Sequence, residues 1–367
     1  MPGGSRVGGA PPMLVEVLGT PVHLCVPDDL AFEVRGALVD LAPSLDVRAA
    51  RELVLEALPD GCLRLFDDGE LVLDRIDRAL AVATLVWRLN AVAASTTEHV
   101  VLHAGCVAAP TGGVVLPGAS GAGKSTLTAA AVAAGLGYLG DEHAALSLRT
   151  GMLVPHAKPL DLGRRGLVPA SSLRAGSVGA TCPPVAAVFP RYAVGSPTVS
   201  VALDAGSTLL ALCAQATNLP DVGGHGFAAL AGLASAVPGW QITYSTTAVA
   251  VALIEHAVEA AAPAGPVTSA PTAAPVTPTT TTVVLDDGDV VVLDATTWAV
   301  HRLNRSAGLV WLCAATTQDV DDLTALVQEE APEGAIEPSH VRATIEQLAG
   351  VGLLPPAVTP GGRRRQR

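Results

Sequence analysis

Val114 to Thr126 reads VVLPGASGAGKST. Gly118, Gly123, Lys124 and Ser125 fill the spacing G-x-x-x-x-G-K-[ST], and Gly121 adds a third glycine. Val114 to Leu116 reads as a short buried strand, and Thr126 to Ala134 as an Ala-rich helix stopped by Gly135. That strand–loop–helix order is the context in which the spacing has a mechanism. The glycines let consecutive backbone N–H groups turn towards an anion, and the helix N-terminus adds partial positive charge. Gly118, Ala119, Ser120, Gly121, Ala122, Gly123, Lys124, Ser125 and Thr126 are therefore the expected phosphate cradle. Lys124 reaches the terminal phosphates as a point charge, and the Ser125 hydroxyl is placed for Mg²⁺. The other reading, a chance Gly/Ala turn, predicts only about 0.003 matches in a chain of this composition. Lys124 is one of two lysines, the other being Lys158; every other fixed positive charge is Arg.

The chain has 367 residues, half of them apolar, which suggests two or three domains. Its net charge of −12 argues against a broad nucleic-acid or anionic-membrane surface. The six cysteines show no C-x-x-C pair, as expected of core thiols in a reducing compartment. Met1 to Pro12 has no signal pattern, and no apolar run is long enough to span a bilayer. These features read as a soluble cytoplasmic protein. The run Arg363 to Arg365, with Arg367, reads as a short basic tail.

Ala260 to Thr282 is uncharged and rich in Ala, Pro and Thr. It reads as a semi-stiff spacer that buries no core. The expected division is an N-terminal α/β region over 1–95, a P-loop domain over 96–260, a linker over 261–282, a small module over 283–355 and the tail over 356–367. Leu14 to His23 and Gly61 to Leu73 look like strands, Asp77 to Ala94 like a helix, and Val100 to Ala109 like one continuous strand. Beyond the linker, a hairpin around Asp286 to Asp289, a third strand over Trp298 to Leu303 and three short helices suggest a winged-helix-like α+β module.

Phosphoryl transfer needs a metal carboxylate and an acceptor for the hydroxyl proton. Asp141 and Glu142 end the strand that follows the P-loop helix, where a parallel nucleotide-binding sheet presents its site. One carboxylate can hold Mg²⁺ with Ser125, and the other can take the proton. A solvated acidic turn is the alternative. His103 lies on the strand just before the P-loop strand, among apolar neighbours, a setting that also suits a core histidine. His143 competes with it. Arg164 and Arg165 in Gly163 to Ser171 could clamp phosphate or sit in an exposed turn.

His103 to Leu146, with the P-loop and acidic pair inside it, resembles the catalytic core of the HPr serine kinase/phosphorylase family. The resemblance implies an α/β P-loop kinase fold, ATP and Mg²⁺, His103 beside the transferring group and Asp141 as the base that deprotonates the acceptor. Glu142 stands where that family has a second Asp. Gly163 to Ser171 lacks the family's downstream E-I-R-G signature, so HPr itself is not the expected substrate. Relatives of the core assemble into rings, which leaves a homo-oligomer open.

His301 to Cys313 and Val341 to Leu354, with Leu303, Asn304, Ala307, Trp311 and Gly352 to Leu354, resemble the PqqD family. That resemblance implies a reader for the leader segment of ribosomally made precursor peptides. The peptide would add as a strand beside Trp298 to Leu303, near the helix Val341 to Gln347. The flexible spacer would raise its local concentration. Together the halves are expected to form an ATP-dependent kinase of a precursor-peptide Ser or Thr. The rivals are a kinase of a small molecule or carrier protein with a regulatory C-terminal module, and a non-catalytic nucleotide-gated peptide chaperone.

Overall fold

The computed structural model describes residues 12–43, 51–261, 265–331 and 336–354. The basic tail lies outside the described residues, as does nearly all of Met1 to Pro12.

Strands β1 (Met13–Val17) and β2 (Thr20–Cys25) form a hairpin whose turn residues, Leu18 and Gly19, both have positive φ. It resolves the single strand expected over Leu14 to His23. Helix α1 (Asp28–Ala37) follows, and then β3 (Arg51–Ala57), β4 (Leu63–Asp67) and β5 (Glu70–Ile76) complete a five-stranded sheet ordered β1-β2-β3-β4-β5. Helix α2 (Ala81–Ala94) buries Val82, Leu85, Val86, Leu89 and Val92 in this sheet's core. Asp67 points into that layer, where Arg51 and Arg88 neutralise it.

Val100 to Ala109 is two strands. β6 (His99–Leu102) pairs with β10 (Ala144–Ser147) in one sheet, while β7 (Ala104–Ala109) pairs with β8 (Gly112–Pro117) in another. Apolar character is continuous across the break, so alternation alone could not reveal it. Helix α3 (Lys124–Ala134) leads from the P-loop to β9 (Gly137–Gly140). Strand β11 (Leu153–Val154) then borders β10, and β12 (Leu160–Asp161) pairs with β13 (Leu167–Val168) before the short helix α4 (Ala170–Leu173). Next come β14 (Pro184–Tyr192), β15 (Val199–Leu203), α5 (Ala205–Cys213), α6 (Leu219–Ala236), β16 (Gly239–Tyr244) and α7 (Thr247–Glu259).

The main sheet runs β15-β16-β14-β8-β7-β9. β8, β14 and β16 are parallel; β7 is antiparallel to both β8 and β9, so β9 ends on the same side as the P-loop. Val114 and Leu116 of β8 face a core shared with α3 and α7, while Val115 faces one shared with α5 and α6. Burial on both faces explains the unbroken apolar run that sequence shows there.

The C-terminal strands β17 (Thr280–Val284), β18 (Val290–Asp294) and β19 (Ala299–Leu303) form an antiparallel sheet in that order, followed by helices α8 (Arg305–Cys313), α9 (Val320–Glu330) and α10 (Pro338–Gly350). Val290 and Val292 pack under these helices with the fully buried Trp311, whose Nε1 donates to Thr282 Oγ1 at 2.8 Å. Val283, Leu285, Val291 and Leu293, on the opposite face, join the core of α5 and α6. Arg302 adds a polar seam, donating to both carboxylate oxygens of Asp204 at 3.0 Å and to Asp289 at 2.7 Å. The small module is therefore seated on the P-loop core through one whole sheet face.

The spacer expectation needs correction for the same reason. Within 265–279, Val267 and Val276 are buried, the Val267 N–H donates to the Gly151 carbonyl and the Ala270 N–H to that of Ala228. A side chain at Gly232 would run into the Thr268 carbonyl, which shows how closely the strap lies on α6. Thr280 to Thr282, expected in the linker, belong to β17. Composition registered the prolines and threonines and missed two anchoring valines. Among the described residues no helix is long and apolar enough to cross a membrane, and no disulfide forms.

A shared core predicts shared unfolding. Leu293→Ala removes a fully buried side chain and is expected to cost about 2–5 kcal/mol. In calorimetry the lowered transition should remain single and include the P-loop core. A C-terminal transition that moves alone would contradict the shared core.

Candidate active site

The Gly-rich loop expected to form the cradle lies where β8 ends and α3 begins. Gly121 and Gly123 have φ of 81° and 88°, the left-handed region that aims successive N–H groups inward. A Cβ on Gly123 would stand 2.5 Å from the Tyr244 hydroxyl, so glycine is required there on two grounds. Tyr244 donates to the Gly123 carbonyl at 3.3 Å and packs on Tyr192, ring centroids 5.7 Å apart. The Tyr192 N–H donates to the Ala122 carbonyl. Ala119, Ser120, Gly121 and Thr126 are open to solvent. Lys124 folds its ammonium back onto the loop, donating to Gly118 O at 2.6 Å and Ala119 O at 2.9 Å. Burial holds its pKa below the usual lysine range, against the pull of Asp141 and Glu142.

Asp141 follows β9 and is fully buried, yet neither carboxylate oxygen has a hydrogen-bond partner at full geometry. Burial raises its pKa; Lys158, the hydrogen-bonding approach of the Ser125 hydroxyl and the Glu142 N–H work against the rise, and the Glu142 carboxylate adds to it. Glu142 has φ of 64°, an uncommon conformation for a residue with a side chain. That backbone lets two adjacent carboxylates face different surroundings. The Glu142 side chain is 42% exposed. Its Oε2 takes both Lys158 Nζ at 3.0 Å and Asn90 Nδ2 at 2.8 Å. Burial works to raise its pKa, and Lys158 and Asn90 outweigh it, so the carboxyl lies below the usual glutamate range.

His103 occupies the break between β6 and β7. Its N–H donates to Gln215 O at 2.7 Å, and its carbonyl accepts from Gly118 N. Burial and then Lys124 lower its pKa, with Glu142 opposing, which favours the neutral ring. The structure thus gathers Lys124, Ser125, Asp141, Glu142 and His103 at the ends of β8 and β9. Arg164 and Arg165 lie instead in an exposed turn. His143 turns inward, edge-on to His156 at 6.3 Å.

Sequence reasoning passed over Lys158, Asn90, Tyr192 and Tyr244. Scarcity was the one available signal: the only two lysines of the chain flank a single acidic pair. Asn90 looked like any polar residue on an amphipathic helix.

No three or more His, Cys, Asp or Glu side chains among the described residues form a metal site by themselves. A buried carboxylate with both oxygens unpartnered, next to Ser125, does fit Mg²⁺, which takes one or two protein oxygens and completes its shell with phosphate and water.

No family model matches the chain, and no curated protein matches it. Among solved structures, the HPr(Ser) kinase/phosphatase from Coxiella burnetii is similar over 43% of this chain and 93% of its own, at 15% identity and a TM-score of 0.28. A similarity at that TM-score is no basis for assigning chemistry.

Beneath the site, burial pushes His143 down to about 4 and His156 down to about 3. Each native value lies below the unfolded value of about 6.5, so the unfolded chain binds more protons. Stability should fall as pH drops from about 6.5 through these values. His156→Phe replaces a ring with two unpartnered buried nitrogens and should flatten that slope by up to ~1.4 kcal/mol per pH unit. Urea unfolding across this pH range checks it; an unchanged slope would count against a neutral His156.

Proposed function

We propose that the protein is an ATP-dependent kinase that transfers the γ-phosphoryl group to a Ser or Thr hydroxyl of a ribosomally synthesised precursor peptide. The observation that carries the kinase reading is the unpartnered, fully buried Asp141 carboxylate beside Ser125 at a phosphate cradle.

In this reading Ser125 and Asp141 hold Mg²⁺, which would neutralise charge on the nucleotide phosphates. The cradle N–H groups bind the same phosphates. Lys124 exchanges the Gly118 and Ala119 carbonyls for phosphate oxygens. The sequence resemblance assigned the base to Asp141; burial favours the reverse division. Asp141 is fully buried, whereas Glu142 is partly open and both bonds to it end on Oε2. The acceptor oxygen attacks the γ-phosphorus, the bond to the β–γ bridging oxygen breaks, and ADP leaves. The hydroxyl proton passes to Glu142 Oε1. A carboxylate of low pKa suffices because a loose transition state releases the proton late. Neutral His103 contributes a hydrogen bond to the transferring group.

Support for a peptide acceptor comes from the seated C-terminal module. β19 is an edge strand, and apart from its ladder with β18 and the Ala299 N–H, which donates to Thr297 Oγ1 at 3.3 Å, no backbone hydrogen bond reaches Ala299 to Leu303 among the described residues. An extended leader adding there would use those groups. Helix α5 connects the two places. Its N-terminal cap, Asp204, holds Arg302 of β19, and the chain just beyond its C-terminus presents Gln215 to His103. Nine residues of helix span about 14 Å, a distance four or five extended residues cover.

The test is incubation with Mg²⁺, ATP and the short peptide encoded beside the gene, read by intact mass. A gain of one phosphate is expected. Removing the leader should raise KM for the peptide, and Glu142→Gln should lower kcat about 10²–10⁴-fold with KM for ATP little changed. No phosphate gain, or a gain unaffected by Asp141→Asn, would overturn the proposal.

A further inference from the structure

Lys158 and Asn90 are left over once the cradle, the acidic pair and His103 have roles. They come from different layers: Asn90 from α2 of the N-terminal region, Lys158 from the segment between β11 and β12. Both donate to the same atom, Glu142 Oε2.

Each arm is itself fixed. The Lys158 ammonium is fully buried and also donates to Pro159 O at 3.2 Å. Its main-chain carbonyl accepts from Tyr138 at 2.7 Å, and its N–H donates to His156 O at 2.9 Å. Two residues before Asn90, Arg88 pairs with the buried Asp67 and ties α2 to its sheet. Glu142 is pinned as well: its carbonyl accepts from Ala104 N, beside His103, at 3.3 Å.

A fully buried ammonium paired with a carboxylate that is 42% exposed is a poor way to stabilise a fold. Replacing a buried ion pair by apolar groups is often neutral or stabilising. Elsewhere among the described residues the side-chain ion pairs use Arg. At 158 a compact ammonium on an unbranched stem reaches one oxygen and leaves the other alone, which a bidentate guanidinium fork would not.

We propose that Asn90 and Lys158 are positioning residues: together they clamp Oε2 of Glu142 and so aim Oε1 into the cleft where an acceptor hydroxyl arrives. Their role in transfer rests on the kinase reading; the clamp itself does not. Asn90 acts on Glu142 alone, so losing it should change how Glu142 is held and leave nucleotide binding alone, whereas Lys158 also offsets the buried Asp141 charge.

The full-length protein and its Asn90→Ala, Lys158→Met and Glu142→Gln variants, single and combined, provide the test. Carbodiimide coupling of glycine ethyl ester, followed by peptide mass spectrometry, reports how tightly Glu142 is held. Glu142 should label at least about fivefold faster in Asn90→Ala and in Lys158→Met, and in Asn90→Ala affinity for fluorescent mant-ADP and Mg²⁺ should stay within about threefold of wild type. With the precursor peptide, each single variant should lose at least about tenfold in kcat, and Asn90→Ala should leave KM for ATP nearly unchanged. Neither should reduce kcat further on the Glu142→Gln background. Unchanged labelling, full additivity with Glu142→Gln, or a loss in Asn90→Ala that appears in nucleotide affinity would overturn the clamp. If Lys158→Met fails to fold, Asn90→Ala decides by the same readings. If wild type transfers no phosphate, the kinase reading fails while labelling still decides the clamp.

Discussion

The constraint on which the rest of the structure depends is the Asp141 carboxylate, buried at the end of β9 with neither oxygen in a well-formed hydrogen bond and only the Ser125 hydroxyl and the Glu142 N–H close by. Isolated buried charge is among the most expensive features a fold can hold. The surroundings make sense as its management. β7 reverses direction between β8 and β9, so that Asp141 emerges on the P-loop side. Lys158 offsets the charge from beneath, Ser125 lies alongside, and Lys124 is close enough to feel it. The left-handed backbone at Glu142 turns the next carboxylate outward. A lone carboxylate held ready in this way suits a site that completes itself only when a cation and phosphates enter.

The second organising feature is the seat of the C-terminal module. Its three-stranded sheet is covered on one face by its own helices and on the other by α5 and α6. Because α5 spans from Arg302 to the chain that bonds His103, the module and the site are related by a rigid element. A captured segment would arrive in a fixed register, with no search through a flexible linker. On the proposed reading, local concentration would be set by geometry, and only acceptors at a suitable separation along the segment would reach the centre.

The parts of this arrangement that sequence made legible are those encoded locally. The cradle, α3 and its Gly135 stop, the acidic pair after β9 and the C-terminal helices each rest on neighbouring residues, and their positions held closely. What escaped was set by distant partners. The break at His103 exists because its two flanks pair with different sheets. α6 was unreadable because Pro220 and several glycines interrupt its pattern, and Gly223 does leave helical geometry. The strap over 265–279 has the composition of a spacer and is fixed by contacts with Gly151 and Ala228. Lys158 belongs to no motif; only the fold brings it to Glu142.

The most direct measurement of the central claim is anomalous diffraction from crystals grown with Mn²⁺ and a non-hydrolysable ATP analogue. The account predicts phosphates seated on 118–125 and one anomalous peak about 2.1 Å from Ser125 Oγ and from an Asp141 oxygen. A peak coordinated by Glu142 with Asp141 left bare, or no nucleotide on the loop, would contradict it.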